Sequence, residues 1–344
     1  MKQVNWGIIG LGAIADQFAK GFEVVSNAKL LGIASKHLDR LNKFKIDFEI
    51  DNNYCFNNYE KLIGNKDIDI VYIALPTSLH YEWIIKCLDA GKKVLVEKPA
   101  TMNATEIKEI KNKYIDKEIF FSEAFMYMYH PQIVKVIEII NQGEIGELIS
   151  MESNFGINIL TKRNFFGLKK IKKLNKKNRI FNKELGGGVI LDIGCYPVSL
   201  STLIASQISN IDYNKVKITN IEKYMRPNEV EIDASMQLVF ENNFRSKILA
   251  SFTKKLGTKT SILGKKGEIV IENTWLANPS TITIKTDQDK IINFDSSLNI
   301  FSYEIKTLSK AILENKVKPD FPSLTIDDII GNMIIIDKWK KLIA

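Results

Sequence analysis

The first third of the chain alternates unbroken apolar runs with segments of helical period, and this alternation constrains the fold more than any other feature. Strand patterns cover residues 4–10, 29–35, 68–75 (IDIVYIAL), 93–96 and 118–124. Helical patterns cover 13–25, 38–48, 79–90 and 103–115. A strand without polar alternation is buried on both faces, which requires a parallel sheet covered by helices. The predicted fold class is α/β, with an N-terminal doubly wound parallel sheet of the Rossmann type. After about residue 125 the rhythm changes. A helix is expected at 130–141, a long alternating strand at 147–158, and a glycine turn leading into a helix at 186–206. Strand candidates from 215 to 294, separated by Asn-Asn, Gly-Lys and Lys-Lys-Gly, read as an antiparallel meander. Amphipathic helices at 301–315 and 326–342 close the chain, the second with Thr325 as its N-cap.

With 344 residues the chain can support two cores. The expected division is a dinucleotide-binding domain over 1–124 and an α+β domain over 125–344. The second carries a large open, mostly antiparallel sheet, and its C-terminal helix packs back towards the first. The net charge of +8 invites a nucleic-acid reading. Much of the excess, however, sits in residues 162–179 rather than along a periodic face, so no nucleic-acid partner is expected. That Lys-rich stretch reads as a loop or excursion. Cys55, Cys87 and Cys195 lie far apart without CxxC or Cys/His spacing. They argue for a reducing compartment, and no disulfide framework or metal site is expected. The repeated glycines near the N-terminus, and the early return to Asp16 and Lys20, fit a strand–turn–helix better than a signal peptide. No run approaches the ~20 apolar residues of a membrane span, so the expected setting is cytoplasmic.

The stretch GIIGLGAIA sets Gly10, Gly12 and Ala15 in G-x-G-x-x-A register between a strand and a helix. Gly10 permits the tight turn, Gly12 lets backbone approach a pyrophosphate at the helix N-terminus, and Ala15 keeps helix and strand close. Ala13 and Ile14 join the expected cofactor contacts. The second strand ends in Ser35-Lys36-His37, with no acid until Asp39. A hydroxyl and a cation suit a ribose 2′-phosphate better than a 2′-OH, so NADP is expected in preference to NAD. Pro76, Thr77 and His80 follow the third strand, and ligands lie beyond the carboxyl ends of strands in such sheets. Pro76 and Thr77 border the cofactor on this reading; His80 either touches it or fills the first helical turn.

Glu97-Lys98-Pro99 closes the fourth strand on the same edge. A Lys beside a charged nicotinamide can handle a proton near neutrality. Read alone, it is more readily a salt-bridged strand end. In GGGVILDIGCYP, Asp192 and Tyr196 stand four apart and share a helix face. They could set a carboxylate and a phenol beside a substrate hydroxyl, or cap the turn and fill the core.

The ordered series GxGxxA, Glu97-Lys98-Pro99, Glu123-Ala124-Phe125-Met126-Tyr127 with His130-Pro131, and Gly186-Gly187-Gly188 through Asp192 to Tyr196 resembles the Gfo/Idh/MocA oxidoreductase family. It is most similar to the branch of dimeric dihydrodiol dehydrogenases, D-xylose dehydrogenases and aldose-aldose oxidoreductases. The resemblance implies a Rossmann domain, an open-sheet domain, and NAD(P)-linked oxidation or reduction of a sugar, polyol or diol. It implies Lys98 and Asp192 as catalytic, with Tyr196 where many members carry His. It also implies a homodimer or homotetramer formed through the C-terminal sheet. Arg179 and Tyr127 are candidate substrate contacts, Arg179 alternatively a loop anchor, and Glu97 a candidate neighbour of the cofactor. Met128, where relatives often have a basic residue, and the Lys-rich insert both bear on substrate identity. Two other readings of the scaffold stay open: a nicotinamide-binding sensor without turnover, and cofactor-assisted elimination or glycoside cleavage.

Overall fold

The computed structural model describes residues 2–343 except 164–168, 172–178, 226–229, 279 and 296. It separates into two compact units, Met1–His130 with Ser296–Ile330, and Pro131–Asp295 with Gly331–Ala344.

In the first unit the chain runs β1 (Val4–Ile9), α1 (Ala13–Lys20), β2 (Ala28–Ala34), α2 (Leu38–Asp47), β3 (Cys55–Phe56), α3 (Tyr59–Ile63), β4 (Ile70–Ile73), α4 (His80–Asp89), β5 (Lys93–Glu97), α5 (Ala104–Lys113) and β6 (Phe121–Ala124). The six strands form one sheet in the order β3-β2-β1-β4-β5-β6, every pairing parallel. The order reverses direction between β1 and β4, the switch point at which such sheets bind ligands. β4 is wholly buried and so, apart from its first residue, is β5, as their unbroken apolar runs require. One sequence expectation is corrected here, and two elements are added. The first helix ends at Lys20 and tightens into a 3-10 turn over Gly21–Val24 rather than running to 25. β3 and α3 lie in a stretch too short and polar for periodicity to mark.

The second unit begins with α6 (Pro131–Asn141) and β7 (Leu148–Gly156), followed by the short pair β8 (Thr161–Arg163) and β9 (Lys169–Ile171). That pair falls inside the Lys-rich stretch expected as a loop; the rest of 162–179 lies largely outside the described residues. Then come α7 (Cys195–Ala205), β10 (Lys217–Met225), β11 (Glu231–Val239), β12 (Arg245–Ser251), β13 (Thr260–Gly264), β14 (Gly267–Ile271), β15 (Ser280–Lys285) and β16 (Lys290–Phe294). Eight of these strands form one sheet, β10-β11-β12-β7-β13-β14-β15-β16. It is a meander with one interruption: β7 enters between β12 and β13, parallel to the first and antiparallel to the second. Sequence order cannot reveal such an insertion, because β7, ending at Gly156, lies far ahead of neighbours that start at Arg245 and Thr260.

α7 packs on β7 and β12 and is buried along its whole length. The helical stretch Lys183–Ala205 is long and apolar enough to cross a membrane by composition, contrary to the expectation that no run would qualify. Its described window is entirely inside the protein, so it is a core helix. Its hydroxyls are satisfied internally, as burial demands: Ser201 bonds Pro197 O at 2.6 Å and Ser246 Oγ at 2.7 Å.

The chain ends with α8 (Ile300–Leu313) and α9 (Ile326–Ile343). α8 belongs to the first unit, where Phe301 joins an aromatic cluster with Trp6, Phe18, Phe22 and Tyr72. The Trp6 indole donates to Ser309 Oγ at 2.9 Å. Thr325 caps α9 as expected: it accepts the Asp328 amide at 3.2 Å while the Asp328 carboxylate takes the Thr325 amide at 3.0 Å.

Candidate active site

Because all six strands of the first sheet are parallel, their carboxyl ends share one edge. β1 delivers Gly10 there, β2 Ser35 and Lys36, β4 the segment leading to Pro76 and Thr77, and β5 Lys98. Gly10 has φ +89°, and a Cβ on it would meet Ala74 O at 2.7 Å, so no other residue can make this turn unstrained. Gly12 differs: its φ is −95°, and the space a Cβ would enter holds no atom within 4 Å. It stands at the N-terminus of α1 with no side chain capping the helix. An open backbone cradle at an uncapped helix N-terminus fits a pyrophosphate, which the exposed amides can bind. An adjoining hollow of about 560 Å³ is lined by Leu11, Gly12, Ala13, Lys20, Arg40 and Lys43 among others.

Ser35 is buried and its Oγ accepts the His37 amide at 3.1 Å, which shapes the end of β2. Lys36 is exposed, with its ammonium 5.5 Å from the Tyr59 ring centroid. Arg40, on α2, lines this hollow with Lys20, Lys43 and Asp16, and motif reading did not single it out. Its one signal was its place in the first turn of α2, which matters only once the helix is placed.

Thr77 is buried and Pro76 partly exposed. His80 is 1% exposed, and its two ring nitrogens face backbone carbonyls, Leu75 O at 2.8 Å and Pro99 O at 3.0 Å, either of which a ring N–H can reach. Those contacts support the helix-start role, not the cofactor contact. Lys98 is the partly exposed residue between buried Glu97 and buried Pro99, with a cis peptide to Pro99. Glu97 turns inward and accepts the Tyr72 hydroxyl. Tyr127 is fully buried in a 3-10 turn, its ring edge-on to Phe125 at 5.9 Å.

In the second unit, Gly188 has φ +110°, and a Cβ there would lie 2.3 Å from Glu231 Oε1. Glu231 is buried, which pushes its carboxyl above the usual range, and it accepts the Ile190 amide at 3.4 Å. The glycine run thus lets a carboxyl reach the start of the helix. Asp192 follows in a π-helical turn, Ile190–Gly194, which leads into α7. The wider turn changes the i,i+4 geometry assumed for Asp192 and Tyr196; π-turns occur often where helices present functional groups. Asp192 is 9% exposed and accepts a charge-assisted bond from Arg179 Nη2 at 3.0 Å. Arg179 therefore anchors the carboxylate. Tyr196 is 5% exposed and packs edge-on against Phe155 (5.1 Å) and Trp275 (5.7 Å).

Residues 4–125 match the profile of an oxidoreductase family with an NAD-binding Rossmann fold, and residues 133–270 match the GFO/IDH/MocA C-terminal domain. The chain is 25% identical to trans-1,2-dihydrobenzene-1,2-diol dehydrogenase of Xenopus tropicalis, over 96% of both chains. The Homo sapiens enzyme of that name is also 25% identical, over 95% of both. Among solved structures, the aldose-aldose oxidoreductase from Caulobacter crescentus, complexed with glycerol, superposes with a TM-score of 0.83 at 19% identity, over 99% of this chain and 97% of that one. Levoglucosan dehydrogenase in complex with NADH gives 0.82 at 19% identity, over 99% and 96%. A 3-ketoreductase from Actinomadura kijaniata with NADP and TDP-benzene gives 0.79 at 21%, over 99% and 98%.

Proposed function

The chain belongs to the Gfo/Idh/MocA oxidoreductase family, whose N-terminal domain is an NAD-binding Rossmann fold, and from that premise we propose that it moves hydride between a nicotinamide and a hydroxyl or carbonyl carbon of a sugar, polyol or diol. One observation carries the proposal: a single edge of a parallel sheet bears the open Gly12 cradle, Ser35 with Lys36, and the partly exposed Lys98. The relatives act, by name, on a dihydrodiol, an aldose and levoglucosan, which supports a carbohydrate-like substrate. NADP is the preferred cofactor, on the strength of Ser35 and Lys36 at the end of β2 and of Arg40 lining the hollow beside Gly12.

When bound, the cofactor supplies the hydride acceptor or donor. The chain's own residues do the rest. Gly10, Gly12, Ala13 and Ile14 hold the pyrophosphate, while Pro76 and Thr77 border the bound nucleotide. Lys98 hydrogen-bonds the reacting oxygen and handles its proton. In the second unit, Tyr196 offers a hydroxyl proton, and Asp192, held by Arg179, orients substrate. A cytoplasmic setting is part of the reading, supported by three cysteines that form no disulfide among the described residues, Cys87 and Cys195 being buried. Self-association through the outer face of the eight-stranded sheet is another part, supported by exposed Ile149, Leu263 and Ile291 on its strands; light scattering tests it, and a monomer at all concentrations removes it.

Turnover is tested with NADP and NAD in parallel against aldoses, polyols and diols. Reduction of cofactor by at least one of them is expected, with NADP preferred. Binding without any reduction points to a sensor. Release of a leaving group without net cofactor change points to elimination or glycoside cleavage.

A further inference from the structure

The first unit holds buried acids to which the reaction has so far assigned no role. Glu123 lies on β6, in register with Val96 of β5, and is 4% exposed. Its Oε1 accepts the Ala100 amide at 2.7 Å, and its Oε2 is buried with no hydrogen-bond partner. On the same peptide group, His80 Nδ1 lies 3.0 Å from Pro99 O. The Pro99–Ala100 peptide is thus met at both its amide and its carbonyl. Holding that peptide, next to the fixed φ of Pro99, restricts how the chain leaves Lys98.

Of the two clamps, Glu123 also interacts electrostatically with Lys98. A glutamine would make the same bond to Ala100 without burying an ionisable group. The acid at this position therefore calls for a use of its titration, and the ammonium it interacts with belongs to the proposed proton handler. We propose that Glu123 is a positioning residue for Lys98: its carboxyl holds the Pro99–Ala100 peptide through the Ala100 amide, and its ionised form steadies the Lys98 ammonium during turnover. This rests on the reading of Lys98 given above.

Several groups face Glu123 and shape its titration. Glu97 and Lys98 act from the end of β5, Tyr129 from the 3-10 turn after β6, and Glu304 of α8 acts in turn on Tyr129. Burial pushes the Glu123 carboxyl up to about 8; the Ala100 amide opposes this, Glu97 adds to it and Lys98 subtracts. Its charge therefore changes within the working range of an enzyme near neutrality.

The experiment compares Glu123→Gln, Glu123→Ala and Lys98→Ala in the full chain, using the best substrate of the panel and its cofactor. Cofactor Kd, KM, and kcat as a function of pH are measured. Glu123→Ala is expected to lose kcat by about 10–100-fold, with Kd and KM moved far less, because a misaimed Lys costs the chemical step. Glu123→Gln is expected to restore most of that loss by keeping the Ala100 bond, while its kcat profile lacks the inflection near pH 8 expected of the wild type. If Glu123→Ala does not fold, the glutamine profile alone decides. Wild-type kcat and an unchanged pH profile in the glutamine variant would overturn the proposal while Lys98→Ala remains inactive. An active Lys98→Ala instead removes the Lys98 reading itself.

Discussion

Gly10 and Gly12 stand two residues apart in one motif, yet they are glycine for different reasons. Gly10 needs its positive φ and the room beside Ala74 O, both properties of the folded chain alone. Gly10→Ala is therefore expected to cost about 2 kcal/mol of stability from backbone strain, before any clash is counted. Gly12 has ordinary dihedrals and open space where its Cβ would go. Gly12→Leu should leave the melting temperature nearly unchanged and weaken NADP binding by about tenfold or more, since it fills the pyrophosphate cradle. Calorimetry of both variants with and without cofactor separates the two cases; equal destabilisation by both would refute the distinction. The motif already reads Gly10 as the turn and Gly12 as the approach to the ligand; the backbone angles and the open space give the physical reason for each. The sequence leaves His80 open between a cofactor neighbour and a helix start, because its contacts with Leu75 O and Pro99 O depend on where β5 ends.

At the scale of elements, the parallel strands were legible because burial on both faces leaves an unbroken apolar run. Lys98 was legible because the end of such a strand has only one edge to occupy. β3, α3 and the place of β7 within the second sheet were not, since they depend on pairing between distant segments. The glycine turn before α7 was visible in the sequence; its partner Glu231, 43 residues beyond Gly188, was not. The two together make a test. Gly188→Ala places a methyl on the Glu231 carboxyl at a φ that disfavours any side chain. It should unfold or shift the start of the helix, costing about 2–3 kcal/mol, and lower kcat through Asp192. Trp275→Ala removes the ring against Phe155 and Tyr196 and should cost about 3–5 kcal/mol. Chemical denaturation measures both; a cost below about 1 kcal/mol for either contradicts the packing described.

For the whole molecule, two buried groups set opposite slopes of stability against pH. Burial lowers His130 from 6.5 to about 4, so over that range the folded state binds fewer protons than the unfolded chain. Stability then falls as pH drops from about 6.5 towards 4. Glu123 is raised from 4.5 to about 8, so the folded state binds more protons there, and stability falls as pH rises through that range. Glu304, fully buried with neither carboxyl oxygen hydrogen-bonded and raised by the same burial, adds to the alkaline loss. His130→Gln should flatten the acid side of a melting-temperature profile and Glu123→Gln the alkaline side, by about 2–4 °C for each kcal/mol recovered. Parallel profiles for variants and wild type would show that neither group titrates as described.

The central claim is that this edge of the sheet carries out hydride transfer with Lys98 handling the proton. The most direct measurement is nicotinamide absorbance during incubation with NADP and the sugar, polyol and diol panel, for the wild type and Lys98→Ala side by side. The account expects reduction by the wild type and a loss of about a hundredfold or more in kcat for the variant, with NADP still bound at near-native affinity. Near-full turnover by Lys98→Ala with its cofactor site intact would contradict it.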